Sequence, residues 1–201
     1  MPDPQSTAPP EAALAALLTR RSISPRRLLP PAPDAMQIDL MLQTALRAPD
    51  HGGLHPWRVV QFAADQREML ADRFEEEKLR RDPLASDFDR QRAREHATLA
   101  PALLAFVVSP RVHDKVPVRE QWLAAGAALG NLLNAAHQLG FGAIMLSGAR
   151  CFDATLCAEL GVGPEESLAG FVSIGSIAEA APPSKRSAVV GDVCGLWCPK
   201  K

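Results

Sequence analysis

The chain has 201 residues, 47% hydrophobic and 22% charged, which is apolar material enough for one generous domain with a buried core. Its 22 basic and 23 acidic side chains leave a formal charge of −1, so no global field recruits nucleic acid or an anionic membrane surface. Arg outnumbers Lys by 17 to 5 and Tyr is absent, so a single Arg counts as a functional signal only inside a pattern.

Residues 1–10 are Pro-rich and read as a flexible N-terminal tail, with residues 11–201 as one domain. The tail lacks a basic start followed by a long apolar run, so no secretory signal is read and a cytoplasmic location is expected. A short helix is predicted over 11–19, then a basic, Pro-rich loop over 20–33. Asp34 can cap a second helix from Ala35 to about Arg47, and Pro49 lies just beyond its end.

A β-branched and aromatic run predicts a strand over 57–62, followed by helices over about 65–81 and 88–99. Between Asp72 and Glu95, eight acidic and seven basic residues alternate, which describes a solvated face in which the signs cancel. Residues 102–108 form a strongly apolar strand, 120–139 a long helix and 141–146 a further strand. The apolar stretch 122–146 is long enough to span a bilayer, but Asn131, Asn134, His137, Gln138, Gly140 and Gly142 interrupt it. A buried helix followed by a strand fits better. Asp153 caps a short helix ending near Leu160, residues 167–174 form a last strand, and 178–201 form an irregular tail. Strands and helices mix without regular βαβ alternation, which points to an α+β fold. The cysteines, Cys151, Cys157, Cys194 and Cys198, have spacings that match no common zinc pattern and read as reduced, partly buried thiols.

Three constellations carry chemistry. Arg20-Arg21-Ser22-Ile23-Ser24 joins two guanidinium forks to hydroxyls where a helix runs into a loop. That suits an oxyanion clamp, and equally suits cations complementing a helix C-terminus. The run from Arg47 through Asp50, His51, Gly52, Gly53 and His55 to Pro56-Trp57 is a loop of fixed shape whose backbone N–H groups can approach a ligand. Its glycines and proline deny His51 and His55 the helical spacing of a metal pair, and no metal is expected. Gly140-Phe141-Gly142 leads through a strand to Ser147-Gly148, where backbone donors can meet a flat ring. No catalytic triad, G-x-S-x-G elbow or H-E-x-x-H motif is present, and Glu75-Glu76-Glu77 reads as a helix face.

Taken in order, these motifs and Gly170-Phe171-Val172-Ser173-Ile174-Gly175 make the chain similar to the flavin-dependent nitroreductase family, in particular its minimal bacterial NAD(P)H nitroreductases. The resemblance covers about residues 11–197. It implies an α+β, nitroreductase-like fold: a central, mostly antiparallel sheet flanked by helices, in an intertwined homodimer with FMN at the interface. It also implies a reaction in which hydride passes from NADPH or NADH through the flavin to a small-molecule acceptor, with no catalytic side chain of its own. Carried over position by position, Arg20, Arg21 and Ser22 contact the cofactor, Arg47 and His51 contact it from the partner subunit, and Met145, Leu146 and Ser147 form the strand end that meets the ring. Lys185 or Arg186 stands near the phosphate.

The chain departs from the family pattern at Leu146, where Arg is common, at Gly52-Gly53, where Lys or Ser is common, and at His55, where an amide is usual. These departures support a second reading, a flavin-binding module without turnover. Relatives that fragment flavin or dehalogenate their substrate suggest a third. Gly126 and Gly130, one turn apart on the long helix, fit a dimer seam or close packing inside one subunit.

Overall fold

A computed structural model describes residues 10–178 and 189–198. Its sheet is built on β3 (Ala102–Val108) and β5 (Ser167–Ile177), which pair antiparallel at its centre. β2 (Trp57–Gln61) pairs antiparallel with β3, and β4 (Phe141–Leu146) antiparallel with β5. β1 is only Leu28–Leu29, pairing with Ile177 and Ser176 just past the last β3 partner on β5. This two-residue strand lies in the stretch expected to be a loop, and its pairing carries β5 three residues beyond the expected end at Ile174.

β3 reads as a continuous apolar run because both of its faces are covered. Leu104, Phe106 and Val108 join the core beneath α2 (Ala35–Ala45) and α5 (Val118–Gln138). Leu103, Ala105 and Val107 join a second core beneath α3 (Arg67–Arg81) and α4 (Asp87–Thr98). Each buried Leu, Phe or Val among these contributes about 1.5–3 kcal/mol.

β5 would place Leu168 and Phe171 on opposite faces, yet both enter the second core. The register shift opposite Phe106/Val107 supplies the change of parity, with Ala169 as the extra residue and Gly170 beside it. A Cβ on Gly170 would stand 2.7 Å from the Leu146 carbonyl oxygen, so the glycine lets β5 close against the end of β4.

The helices follow their local signals. Asp34 and Gln37 form a reciprocal capping box at α2, at 2.8 and 2.9 Å. That helix stops at Ala45, two residues short of the expected Arg47, because the Arg47 and Ala48 N–H groups close tighter turns onto Thr44 and Ala45. α3 begins at Arg67 instead of residue 65, since residues 64–66 form a 3₁₀ turn first. The alternating charges of α3 and α4 pair with one another, Arg94 alone reaching Glu68, Asp72 and Glu75. α1 (Pro10–Thr19) and α6 (Ala154–Glu159) complete the helices, and the Asp153 carboxylate caps α6 at 2.7 Å on Leu156 N–H. Among the described residues no helix is long and apolar enough to cross a membrane.

Candidate functional site

β4 organises the predicted motifs. Its inner edge pairs with β5 along its whole length. On the outer edge, Ser22 forms a single parallel bridge to Ala143, where the Ile23 N–H donates to the Ala143 carbonyl at 3.1 Å. Strand residues turn their backbone groups alternately to the two edges, so those of Met145 face the same side as those of Ala143. Among the described residues no strand covers that edge past Ala143. Met145 therefore presents an open backbone donor and acceptor about 7 Å along the strand from the Ser22 bridge.

Arg20 and Arg21, at the end of α1, line a cavity of about 460 Å³ with His137, Phe141, Ala143 and Ile177. The Thr19 hydroxyl sits 3.2 Å from His137 Nε2 at its wall. Among the described residues the guanidinium groups of Arg20 and Arg47 have no hydrogen-bond or ion-pair partner, and neither does the Ser22 hydroxyl. The unpartnered Arg20 guanidinium, beside the Ser22 hydroxyl and an open strand edge, suits a phosphate with an attached polar ring.

At the other end of β4, Met145 and Ser147 line a larger cavity of about 980 Å³ between α5 and α6, with Trp122, Gly126, Cys151, Phe152, Cys157 and Glu166 among its walls. The neighbouring Leu146 is absent from both linings, since alternation turns its side chain to the other face. Burial pushes the Cys151 and Cys157 thiols up from their ordinary pKa. The Arg58 hydrogen bond, helped by the Gly163 N–H and the Ser109 hydroxyl, holds the Glu166 carboxyl down at about 2. Only Cys151 and Cys157 are the partly buried thiols expected, because Cys194 and Cys198 are exposed in the irregular tail.

The second cluster lies elsewhere. Arg47 and His51 line neither cavity. His51 Nδ1 lies 2.9 Å from Glu120 Oε2 on α5. Asp50 fixes the loop by accepting the His55 N–H at 2.7 Å, which holds His55 at a positive φ of 48° after Gly52 and Gly53 at 79° and 61°. Within one subunit, then, Arg20, Arg21 and Ser22 lie at one end of β4, Met145 and Ser147 at the other beside a separate cavity, and Arg47 and His51 line neither cavity. Lys185 and Arg186 lie outside the described residues. From sequence, no binding or catalytic role is assigned to His137, Trp122, Cys151, Cys157 or Glu166. The i, i+4, i+7 spacing of Trp122, Gly126 and Leu129 was the one available signal.

A model of the Nitroreductase family matches residues 17–176. The chain is 31% identical over 166 residues to "Putative NAD(P)H nitroreductase YdjA" of Escherichia coli (strain K12), covering 82% of this chain and 87% of that one. A nitroreductase-like family protein from Bacillus cereus shares the fold at a TM-score of 0.77, with 18% identity and 98% of each chain covered. A Desulfovibrio desulfuricans structure described as a "putative nitroreductase in complex with fmn" superposes at 0.69, with 25% identity, over 97% of this chain and all of that one.

Proposed function

Since this chain belongs to the Nitroreductase family, we propose that it is an FMN-dependent NAD(P)H oxidoreductase whose flavin lies along the outer edge of β4. The open backbone of Met145, in line with Arg20, Arg21 and Ser22 on the same edge, carries this reading. Arg20 and Arg21 would hold the phosphate, joined by the Ser22 hydroxyl, with Lys185 or Arg186 as further cations. The N–H and C=O groups of residues 145–147 would hold the edge of the ring, and Leu146 supplies backbone only. When bound, FMN accepts hydride from NADPH or NADH and passes electrons to a small-molecule acceptor. The protein's part is to orient the ring, place N–H donors and cations where negative charge gathers, and keep water away with the apolar walls of the larger cavity. No side-chain nucleophile or base is required.

We read residues from about 11 onward as one FMN-binding domain that works as a homodimer. Arg47 and His51 line neither of the two cavities along β4 in their own subunit, and contact with the flavin across the interface would give them a role. A Cβ on Gly126 or Gly130 would meet nothing within 4 Å, so these glycines serve no packing inside one subunit and fit the seam between two. FMN titration followed by flavin fluorescence tests the assignment. Arg20→Ala is expected to weaken FMN about 10–100-fold, the worth of one charge-assisted hydrogen bond to phosphate, with the fold intact by circular dichroism. An unchanged affinity would remove Arg20 from the site.

A further inference from the structure

We propose that Arg150 is a positioning residue: together with Asp153 it fastens the turn that follows β4 to α3, and this two-rung charge clamp fixes the backbone of residues 145–148. The proposal rests on the flavin reading above, in which residues 145–147 hold the edge of the ring.

β4 ends at Leu146, and the chain passes through Ser147 and Gly148 into a 3₁₀ turn, Ala149–Phe152, where the Cys151 N–H donates to the Gly148 carbonyl at 3.0 Å. Arg150 and Asp153 are three residues apart at this turn, and Glu77 and Arg80 are three apart on one face of α3. Arg80 donates to both Asp153 carboxylate oxygens, from Nη2 at 2.7 Å and from Nε at 3.3 Å. Glu77 Oε2 lies 3.9 Å from Arg150 Nε. The signs alternate along both partners. A slip by one rung in either direction would therefore set like charges together, Glu77 on Asp153 or Arg80 on Arg150.

The inner rung points to placement as its role. Its Glu77 and Arg150 side chains are 1% and 12% exposed, yet no hydrogen bond joins them. Among the described residues, Glu77 Oε2 and Arg150 Nη1 have no hydrogen-bond partner at all. Desolvation largely offsets the attraction of such a pair, so the net gain in stability is small. What the pair fixes is position. The Arg150 guanidinium lies 4.1 Å over the Phe74 ring, Phe74 meets Phe171 edge-on at 5.0 Å between centroids, and Phe171 pairs with Leu146 across β5 and β4. Arg150 thus reaches the strand end twice, along the chain through Gly148 and through space by way of Phe74 and Phe171.

The test reads FMN affinity by flavin fluorescence and ring placement by the visible circular dichroism of the bound flavin. Glu77→Gln combined with Arg150→Met removes the inner rung without stranding a charge. It is expected to raise the FMN dissociation constant about tenfold, the worth of one hydrogen bond at the ring edge, and to alter the visible dichroism. Arg150→Lys keeps the charge and is expected to recover most of the affinity. Arg80→Gln, at the more exposed rung, is expected to weaken FMN about threefold, and it decides the matter if the double variant does not fold. Arg94→Gln breaks pairs between α3 and α4 but touches neither rung. It is expected to leave affinity and dichroism unchanged whatever its cost in stability. Wild-type affinity and dichroism in the folded clamp variants overturn the proposal and leave the cofactor reading standing. An equal loss in Arg94→Gln reduces the effect to stability and overturns it as well. Wild-type protein that retains no FMN refutes the cofactor reading itself, and the clamp's role falls with it.

Discussion

Four hydrogen bonds converge on the Glu166 carboxylate, two of them from one guanidinium fork. That geometry is bidentate and only partly open to solvent, so it is worth more than an ordinary surface ion pair. Glu166→Gln is expected to cost about 1.5–3 kcal/mol in urea unfolding at neutral pH. The pH dependence has a definite sign. The folded carboxyl titrates at about 2, below its ordinary 4.5, so the stabilisation is complete above pH 4.5 and is lost as pH falls towards 2. The gap between wild type and Glu166→Gln should therefore close across that window, and a gap of constant size would contradict the assignment. Glu77 behaves differently because it is fully buried. Its Oε1 accepts from Arg81 Nε at 2.7 Å, its Oε2 lies 3.9 Å from Arg150 Nε, and the Arg150 guanidinium sits 4.1 Å over the Phe74 ring. Removing one partner strands a buried charge, so Glu77→Ala is expected to lower stability by about 3 kcal/mol in thermal or urea unfolding.

At the level of elements, the contact between β4 and β5 decides how the candidate site is held. Phe171 pairs with Leu146 next to the bulge, where the Leu146 carbonyl leaves no room for a Cβ on Gly170. Gly170→Ala is expected to cost about 1–3 kcal/mol by overpacking, with flavin affinity falling alongside, because the shifted backbone carries Met145 with it. Gly126→Ala meets no neighbour inside its own subunit, so at the proposed seam it is expected to cost about 1–3 kcal/mol by overpacking the dimer. Thermal unfolding of the two variants side by side checks both.

The same elements show what could be read in advance. β3 and β4 have the expected bounds because dense apolar runs between breakers carry their own signal. Leu28–Leu29 does not, since two residues just ahead of a proline pair become a strand only when β5 arrives from far along the chain. The site divides likewise. Arg20-Arg21-Ser22 and residues 145–147 were legible as motifs, but their shared edge depends on the Ser22 bridge to Ala143, a long-range contact without local pattern. The large cavity gathers residues from α5, α6 and the ends of β3, β4 and β5, so no one stretch of sequence announces it.

For the molecule as a whole, the apolar surface indicates incompleteness. Leu14, Leu17 and Leu18 on α1, Met36 and Leu40 on α2, and Trp122 and Leu123 on α5 are all exposed, as are Val190, Val193, Leu196 and Trp197 in the C-terminal stretch. A monomer rarely leaves so much apolar surface in water, and the proposed homodimer would cover part of it. Light scattering is expected to give twice the chain mass, and Gly130→Arg on the open face of α5 should shift the population towards monomer while leaving helix content intact. The central claim concerns the flavin, and one spectrum tests it most directly. Purified protein is saturated with FMN, desalted, and treated with NADPH or NADH without oxygen. Retained visible absorbance that bleaches on addition is the predicted result. Flavin that washes away from an intact dimer, or stays but does not bleach with either donor, would contradict the account.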